Sequence, residues 1–291
     1  RAMCPELQDR WPEAARPEHW EGVTMENGRV VKLVFEAFGL TGAVPAEIGR
    51  LSALRQLWLV DNGLTSLPAE IGQLAALEEL SLVGSQLTSV PAEVWQLTSL
   101  TWLDLSETQL TSVPAEIGQL TALRELGLSG NQLTSLPAEI GQLTSLEELG
   151  LSGNQLTSLP AEIGQLTSLA ELNLSGNRLT SLPAEIGQLT SLRYLIIAGN
   201  KLTSLPAAIH ERRAAGCDVQ MHAGVTADDG DDARVLRTWR AMCPALQEWW
   251  PEDVQPMYWE GVEMENGRVV ALELVHCGLT GALPVEIGQL T

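Results

Sequence analysis

Residues 136–158 read LPAEIGQLTSLEELGLSGNQLTS, and residues 159–181 repeat that text with three changes. The 23-residue period continues in both directions. Leu77, Leu80, Leu82 and Leu87 recur as Leu100, Leu103, Leu105 and Leu110, and again as Leu192, Leu195, Ile197 and Leu202. A fixed period of this length marks a solenoid of stacked units, each burying its apolar side against its neighbours. Within one unit, Leu126 and Leu128 alternate as a short strand would place them, and Ser129-Gly130-Asn131 supplies the turn. Asn62, Asn131, Asn154, Asn177 and Asn200 form a ladder whose amides bond backbone groups of adjacent turns. Ser85 and Thr108 interrupt it, so those two rungs are expected to be looser. The return limb, Pro137-Ala138-Glu139-Ile140-Gly141, starts with Pro at the first helical position and puts Glu where a helix dipole favours an anion. A short helix or 3-10 turn is therefore expected on the convex side, with Ile140, Leu143 and Leu146 facing the core.

The pattern LxxLxLxxNxL, written here by Leu123, Leu126, Leu128, Asn131 and Leu133, resembles the leucine-rich repeat family over nearly the whole chain. The resemblance implies an α/β solenoid, a curved right-handed superhelix with a parallel concave sheet and short helices or 3-10 turns outside. Around Leu40 the repeat LTGAVPAEIG is one residue longer than the later LTSLPAEIG. The longer form is similar to plant-type repeats of receptor-like proteins, the shorter to those of intracellular Ras-group and Roco proteins. His19-Trp20-Glu21-Gly22-Val23-Thr24-Met25 resembles the WxGVxC signature of the plant-type N-terminal cap. Met25 and Met264 replace its final Cys, so the cap disulfide of that family is not available.

A second, longer repeat relates residues 1–52 to 240–291 at an offset of 239, with about two thirds of the positions identical. Trp11, Trp20, Gly22 and Gly28 match Trp250, Trp259, Gly261 and Gly267. The expected organisation is an N-terminal cap over 1–29, a repeat array over 30–205 and a helical C-terminal cap over 206–227. An acidic connector at 228–232, a second N-terminal cap over 233–268 and the start of a second array over 269–291 complete it, so the chain reads as a piece of a longer tandem protein. Trp11 and Trp20 are assigned to the core of the cap, which must cover the apolar end of the stack. The connector Asp228-Asp229-Gly230-Asp231-Asp232 is too short for an EF-hand calcium loop and is taken as a solvated turn.

Composition narrows the partners. A net charge of -20 argues against nucleic acid and anionic membrane surfaces, which require clustered Lys and Arg. No apolar run is long enough to span a bilayer. Cys4 and Cys243 occupy equivalent positions in separate modules and Cys277 stands at a ladder position, so a reducing, cytoplasmic location is the simpler expectation. An extracellular one would require a signal peptide upstream of Arg1. The sequon Asn173-Leu174-Ser175 lies in an expected strand and receives little weight. No catalytic, cofactor or metal motif is present: His19, His210, His222 and His276 are scattered, and the Gly-containing turns lack the Lys and Ser/Thr of a P-loop. The carboxylates Glu70, Glu93, Glu116, Glu139, Glu162 and Glu185 share one structural position and form a solvated convex rim.

Residues flanking the inward leucines face the concave side, and there identity varies against the repeated background. One column runs Gln56, Glu79, Trp102, Glu125, Glu148, Glu171 and Tyr194, and its neighbour runs Trp58, Ser81, Asp104, Gly127, Gly150, Asn173 and Ile196. Trp58, Trp102, Tyr194 and Ile196 are expected to be exposed as binding anchors. They bound a shallow trough whose walls are Glu79, Asp104, Glu125, Glu148, Glu171 and Asn173, with Gly127 and Gly150 as a bare strip. Such a face fits a protein or basic peptide, making the chain a non-enzymatic interaction scaffold. Two alternatives stand beside this: the sensor region of a larger Roco-type GTPase or receptor-like kinase, and an architectural tandem-repeat spacer. The Ras-group resemblance implies small GTPases or their regulators as partners.

Overall fold

Because inward leucines alternate with polar residues for only one or two steps before a turn, each 23-residue repeat contributes a concave strand of only three residues. The computed structural model describes residues 10–11, 16–202, 204–214 and 216–220, together with the backbone of 262–265 and 268–272. The chain opens with an antiparallel hairpin, β1 (Val23–Glu26) and β2 (Arg29–Val34). Asn27 and Gly28 close it at φ 49° and 76°, the left-handed pair that a two-residue hairpin turn requires. There follow β3 (Thr41–Ala43), β4 (Gln56–Trp58), β5 (Gly63–Ser66), β6 (Glu79–Ser81), β7 (Trp102–Asp104), β8 (Glu125–Gly127), β9 (Glu148–Gly150), β10 (Glu171–Asn173) and β11 (Tyr194–Ile196). Helix α1 (Ala207–Ala214) and β12 (Asp218–Gln220) complete this body.

Ten of these strands make one sheet in the order β1-β2-β4-β6-β7-β8-β9-β10-β11-β12, parallel from β2 onward and with every rung in register. The central leucine of each strand from β4 to β11 is buried. On the flank, β3 and β5 pair as a separate two-stranded sheet, at the place where the repeat carries its extra residue. α1 buries Ile209, and β12 buries Val219 as it continues the sheet beyond β11. Both elements pack on the last rung. Most of the second cap and the acidic connector lie outside the described residues. The duplicated module is nonetheless visible in β13 (Val262–Glu265) and β14 (Arg268–Leu272). That hairpin reproduces the register and the bulge of β1–β2 at the 239-residue offset.

The convex turns are 3-10, as at Ala115–Gln119, Ala138–Gln142 and Ala161–Gln165. In each the proline precedes the turn as its N-cap in extended geometry, φ -79° to -67° and ψ 148° to 165° at these three. This corrects the expectation that Pro would be the first helical residue. The turns are one residue shorter at their start because a 3-10 bond from Ile140 N to Pro137 O already closes them. Ile140, Leu143 and Leu146 are buried as expected. The Gly at the fourth place lets successive turns stack: a side chain on Gly141 would come within 2.6 Å of the Glu162 carbonyl and 2.8 Å of its Cβ. Trp95 takes that place in one rung and is only 1 % exposed.

The Asn ladder is built as expected. Asn154 Nδ2 donates to Leu128 O at 2.9 Å and its Oδ1 accepts from Leu133 N at 3.0 Å. Asn62, Asn131, Asn177 and Asn200 repeat this reach to the preceding rung. At the two interruptions the outcomes differ. Thr108 directs its hydroxyl to Leu105 O and Asn131 Oδ1, whereas the Ser85 hydroxyl is buried without a partner.

Candidate functional site

On the concave face β6 presents Glu79 and Ser81 around Leu80, and the same alternation places two columns of side chains across the sheet. Glu79, Trp102, Glu125, Glu148, Glu171 and Tyr194 are register partners in one; Ser81, Asp104, Gly127, Gly150, Asn173 and Ile196 are partners in the other. The hairpin extends both columns, since Lys32 pairs with Gln56 and Val34 with Trp58. Lys32 was not singled out in the sequence because the concave columns were started at Gln56 and Trp58. The signal was there: Lys32 precedes Gln56 by 24 residues, the length of the long repeat.

Sequence reasoning placed four apolar side chains in solvent here, and the structure corrects three. Tyr194 is 49 % exposed; Trp58, Trp102 and Ile196 are half-buried. Trp58 comes from the rung before Ser81 and Trp102 from the rung after it, yet their ring centroids lie 5.5 Å apart at 51°. They therefore meet above the intervening rung. The small Ser81 leaves room for them and is itself 1 % exposed, although its position in the alternation faces outward. Lys32 Nζ sits 4.8 Å from the centroid of the Trp58 ring, within cation–π range.

Beyond Trp102 the face opens into a groove of about 240 Å³. It runs from Trp102 and Asp104 past Glu125 and Glu148 to Glu171 and Asn173. Tyr194 stands one strand past its far end, so only one end is closed by an aromatic ring. Several polar groups in and beside the groove are already engaged. Asp104 Oδ1 accepts from Ser106 N at 2.9 Å, Asn173 Oδ1 from Ser175 N and Oγ, and Glu79 Oε1 from Gln56 Nε2 at 2.8 Å. Gly127 forms the floor because a Cβ there would overlap the Asp104 carboxylate.

Glu125, Glu148 and Glu171 differ from these. They stand on consecutive parallel strands in register, a spacing of about 4.8 Å, and none makes a hydrogen bond or ion pair with a described residue. Arg124, one residue before Glu125, bridges to Glu147 at 3.5 Å. Burial and the charges of Glu125, Glu171 and Glu147 hold the Glu148 carboxyl above the usual carboxylate range, because each disfavours the ionised form. Among the described residues no group of three or more His, Cys, Asp or Glu is disposed to hold a metal ion. No described helix is long and apolar enough to cross a membrane.

The comparisons agree with the fold. A family model described as a leucine-rich repeat region matches residues 28–135 and 114–211. The structure is similar to a leucine-rich repeat protein of Leptospira interrogans, 42 % identical over 62 % of this chain and 48 % of that one, with a TM-score of 0.57. It is similar to the Arabidopsis receptor kinase HAESA, solved in complex with the peptide hormone IDA: 26 % identity, 75 % of this chain, 38 % of that one, TM-score 0.64. A plant ice-binding protein shares 28 % identity over 75 % of this chain and 79 % of its own, TM-score 0.57. The chain spans less than half the length of either of the first two. Its repeat, its Asn ladder and these matches together establish that the chain belongs to the leucine-rich repeat family.

Proposed function

We propose that the chain is a non-enzymatic interaction scaffold that recognises a protein or peptide on its concave face, seating a basic group of the partner against Glu148. The observation that carries this reading is the ladder Glu125–Glu148–Glu171: three register-aligned carboxylates without a cation, in a groove next to a tryptophan. Like charges at this spacing repel, and a guanidinium relieves two at once because its fork spans adjacent carboxylates. HAESA, with a similar fold, was solved with a peptide hormone, which supports peptide-sized ligands. The test compares an Arg-bearing peptide with its Gln counterpart by calorimetry at two salt concentrations. We expect the Arg peptide to bind about tenfold more tightly, the preference to shrink with salt and to vanish in Glu148→Gln. Equal affinities at low salt would contradict the reading.

A second reading rests on a separate face. Thr65, Thr88, Thr111, Thr134, Thr157 and Thr180 are all exposed, one per rung, and none of their hydroxyls bonds to another described residue. They lie on the flank where Gln109 N and Gln132 N tie each rung to the one before at 2.9 and 2.8 Å, which keeps the column regular. A flat hydroxyl array with a rung spacing of about 4.8 Å suits an ordered crystalline surface, and a similar protein binds ice. An ice-recrystallisation assay comparing the chain with Thr111→Lys/Thr134→Lys decides it. Equal crystal growth with the chain, the variant and buffer would remove this reading.

A further inference from the structure

At the other end of the concave face lies a cluster of opposite character. Trp58 Nε1 is buried without a hydrogen-bond partner, and so is the hydroxyl of its register partner Ser81. Ser81 is 1 % exposed, so water does not complete it from the surface. Two polar atoms left unpartnered on paired residues are costly unless something fills them. Lys32, against the Trp58 ring, makes no ion pair with a described carboxylate, unusual in a chain with 37 acidic residues and 17 Lys and Arg. The one carboxylate between them and the groove, Glu79, is held by Gln56.

The three groups share one chemistry. An indole N–H and an ammonium only donate, and a serine hydroxyl is able to donate. A carboxylate only accepts, through two oxygens, and is the common ligand group whose needs match a site made of donors alone. Trp58 and Trp102 form the cover over this site, and their rings must part for an acceptor to reach Ser81. From β6 to Glu148 on β9 are three rung steps, about 14 Å, and an extended peptide covers that in about four residues, with side chains i and i+4 on one face.

We infer that Lys32, Trp58 and Ser81 form a carboxylate subsite, so that the concave face takes a peptide bearing an acidic group about four residues from the basic group seated at Glu148. The inference rests on the concave-face reading above and adds the polarity and spacing of its ligand. The carboxylate is either an Asp side chain or a chain terminus, and the probes separate the two.

The test measures calorimetric affinities of the whole chain for capped Gly-Asp-Ala-Ala-Ala-Arg-Gly and for versions with Asn for Asp or Gln for Arg. Arg-Ala-Ala-Ala-Ala, with a free or an amidated C-terminus, forms the second pair. We expect an acid-over-amide preference of about tenfold, the worth of one charge-assisted hydrogen bond, in at least one pair; the pair that shows it names the source. Lys32→Gln/Ser81→Ala should abolish this preference and leave the Arg-over-Gln preference intact. An intact Arg preference with no acid preference in either pair overturns the subsite alone. Loss of both preferences overturns the concave-face reading and the subsite with it. An acid preference that survives in Lys32→Gln/Ser81→Ala places the carboxylate elsewhere and also overturns the subsite.

Discussion

The rungs before Leu120 and those after it are written in the same repeat but held together differently. After Leu120 every turn has Gly in the left-handed position, at Gly130, Gly153, Gly176 and Gly199, and Asn131, Asn154, Asn177 and Asn200 each bond to the rung before. Before it, Gly84 keeps that glycine, but Ala37, Asp61 and Glu107 occupy the left-handed position in the other turns, which disfavours residues with a Cβ. In the same region Ser85 leaves a ladder position unfilled, and Trp95 replaces the Gly that lets convex turns stack. The turn following Trp95 packs less closely on it than the later turns pack on one another. The half that departs from the repeat also holds Lys32, Trp58, Ser81 and Trp102. The regular half carries the carboxylate ladder, whose even spacing depends on identical rungs. Regularity thus supplies a ruler for the charges, and the departures supply the apposed indoles and the buried serine that a uniform repeat would lack.

The comparison can be broken or sharpened by substitution. The largest effect is expected in the regular half, where Leu149 is 1 % exposed at the centre of β9. Leu149→Ala should lower stability by about 2–5 kcal/mol, read from chemical denaturation; an unchanged midpoint would refute the register. Next, Asn154→Ala removes the acceptor of Leu133 N and should cost about 1–3 kcal/mol. Hydrogen exchange at Leu133 should accelerate, and an unaffected amide there would show that the ladder is not structural. In the irregular half the direction reverses. Ser85→Asn and Glu107→Gly restore the consensus and should each stabilise by about 1 kcal/mol; loss of stability in both would mean the departures are compensated locally.

The smallest effect is electrostatic. Because the folded Glu148 carboxyl lies above its ordinary value, the folded chain binds more protons than the unfolded chain between those two values. Its contribution to unfolding free energy therefore rises as pH falls through the raised value. Glu148→Gln should be slightly more stable than the parent above that window and should lose this slope. Thermal unfolding followed upward from about pH 4, near the ordinary carboxylate value, checks it, and parallel profiles for the two proteins would contradict it.

Much of this was legible in the sequence because leucine period and strand alternation are local rules: the inward residues, the Asn ladder, the convex turns and both concave columns all lie where the text put them. What was not legible depends on neighbouring rungs. Alternation alone puts Trp58 and Trp102 in solvent; only the smallness of Ser81 between them lets the indoles meet. The proline is displaced by one place because the 3-10 bond, not helix propensity, sets where the turn begins. Lys32 was missed because the concave columns were started at Gln56 and Trp58, one strand too late, although its strand continues the sheet.

The most direct test of the account is a carbon-detected NMR titration of the Glu148 carboxyl, free and in the presence of the Arg-bearing peptide. A guanidinium beside Glu148 favours its ionised form, so the account predicts that the raised titration midpoint falls towards the ordinary carboxylate range when the peptide is bound. A midpoint that stays in place under saturating peptide would contradict it.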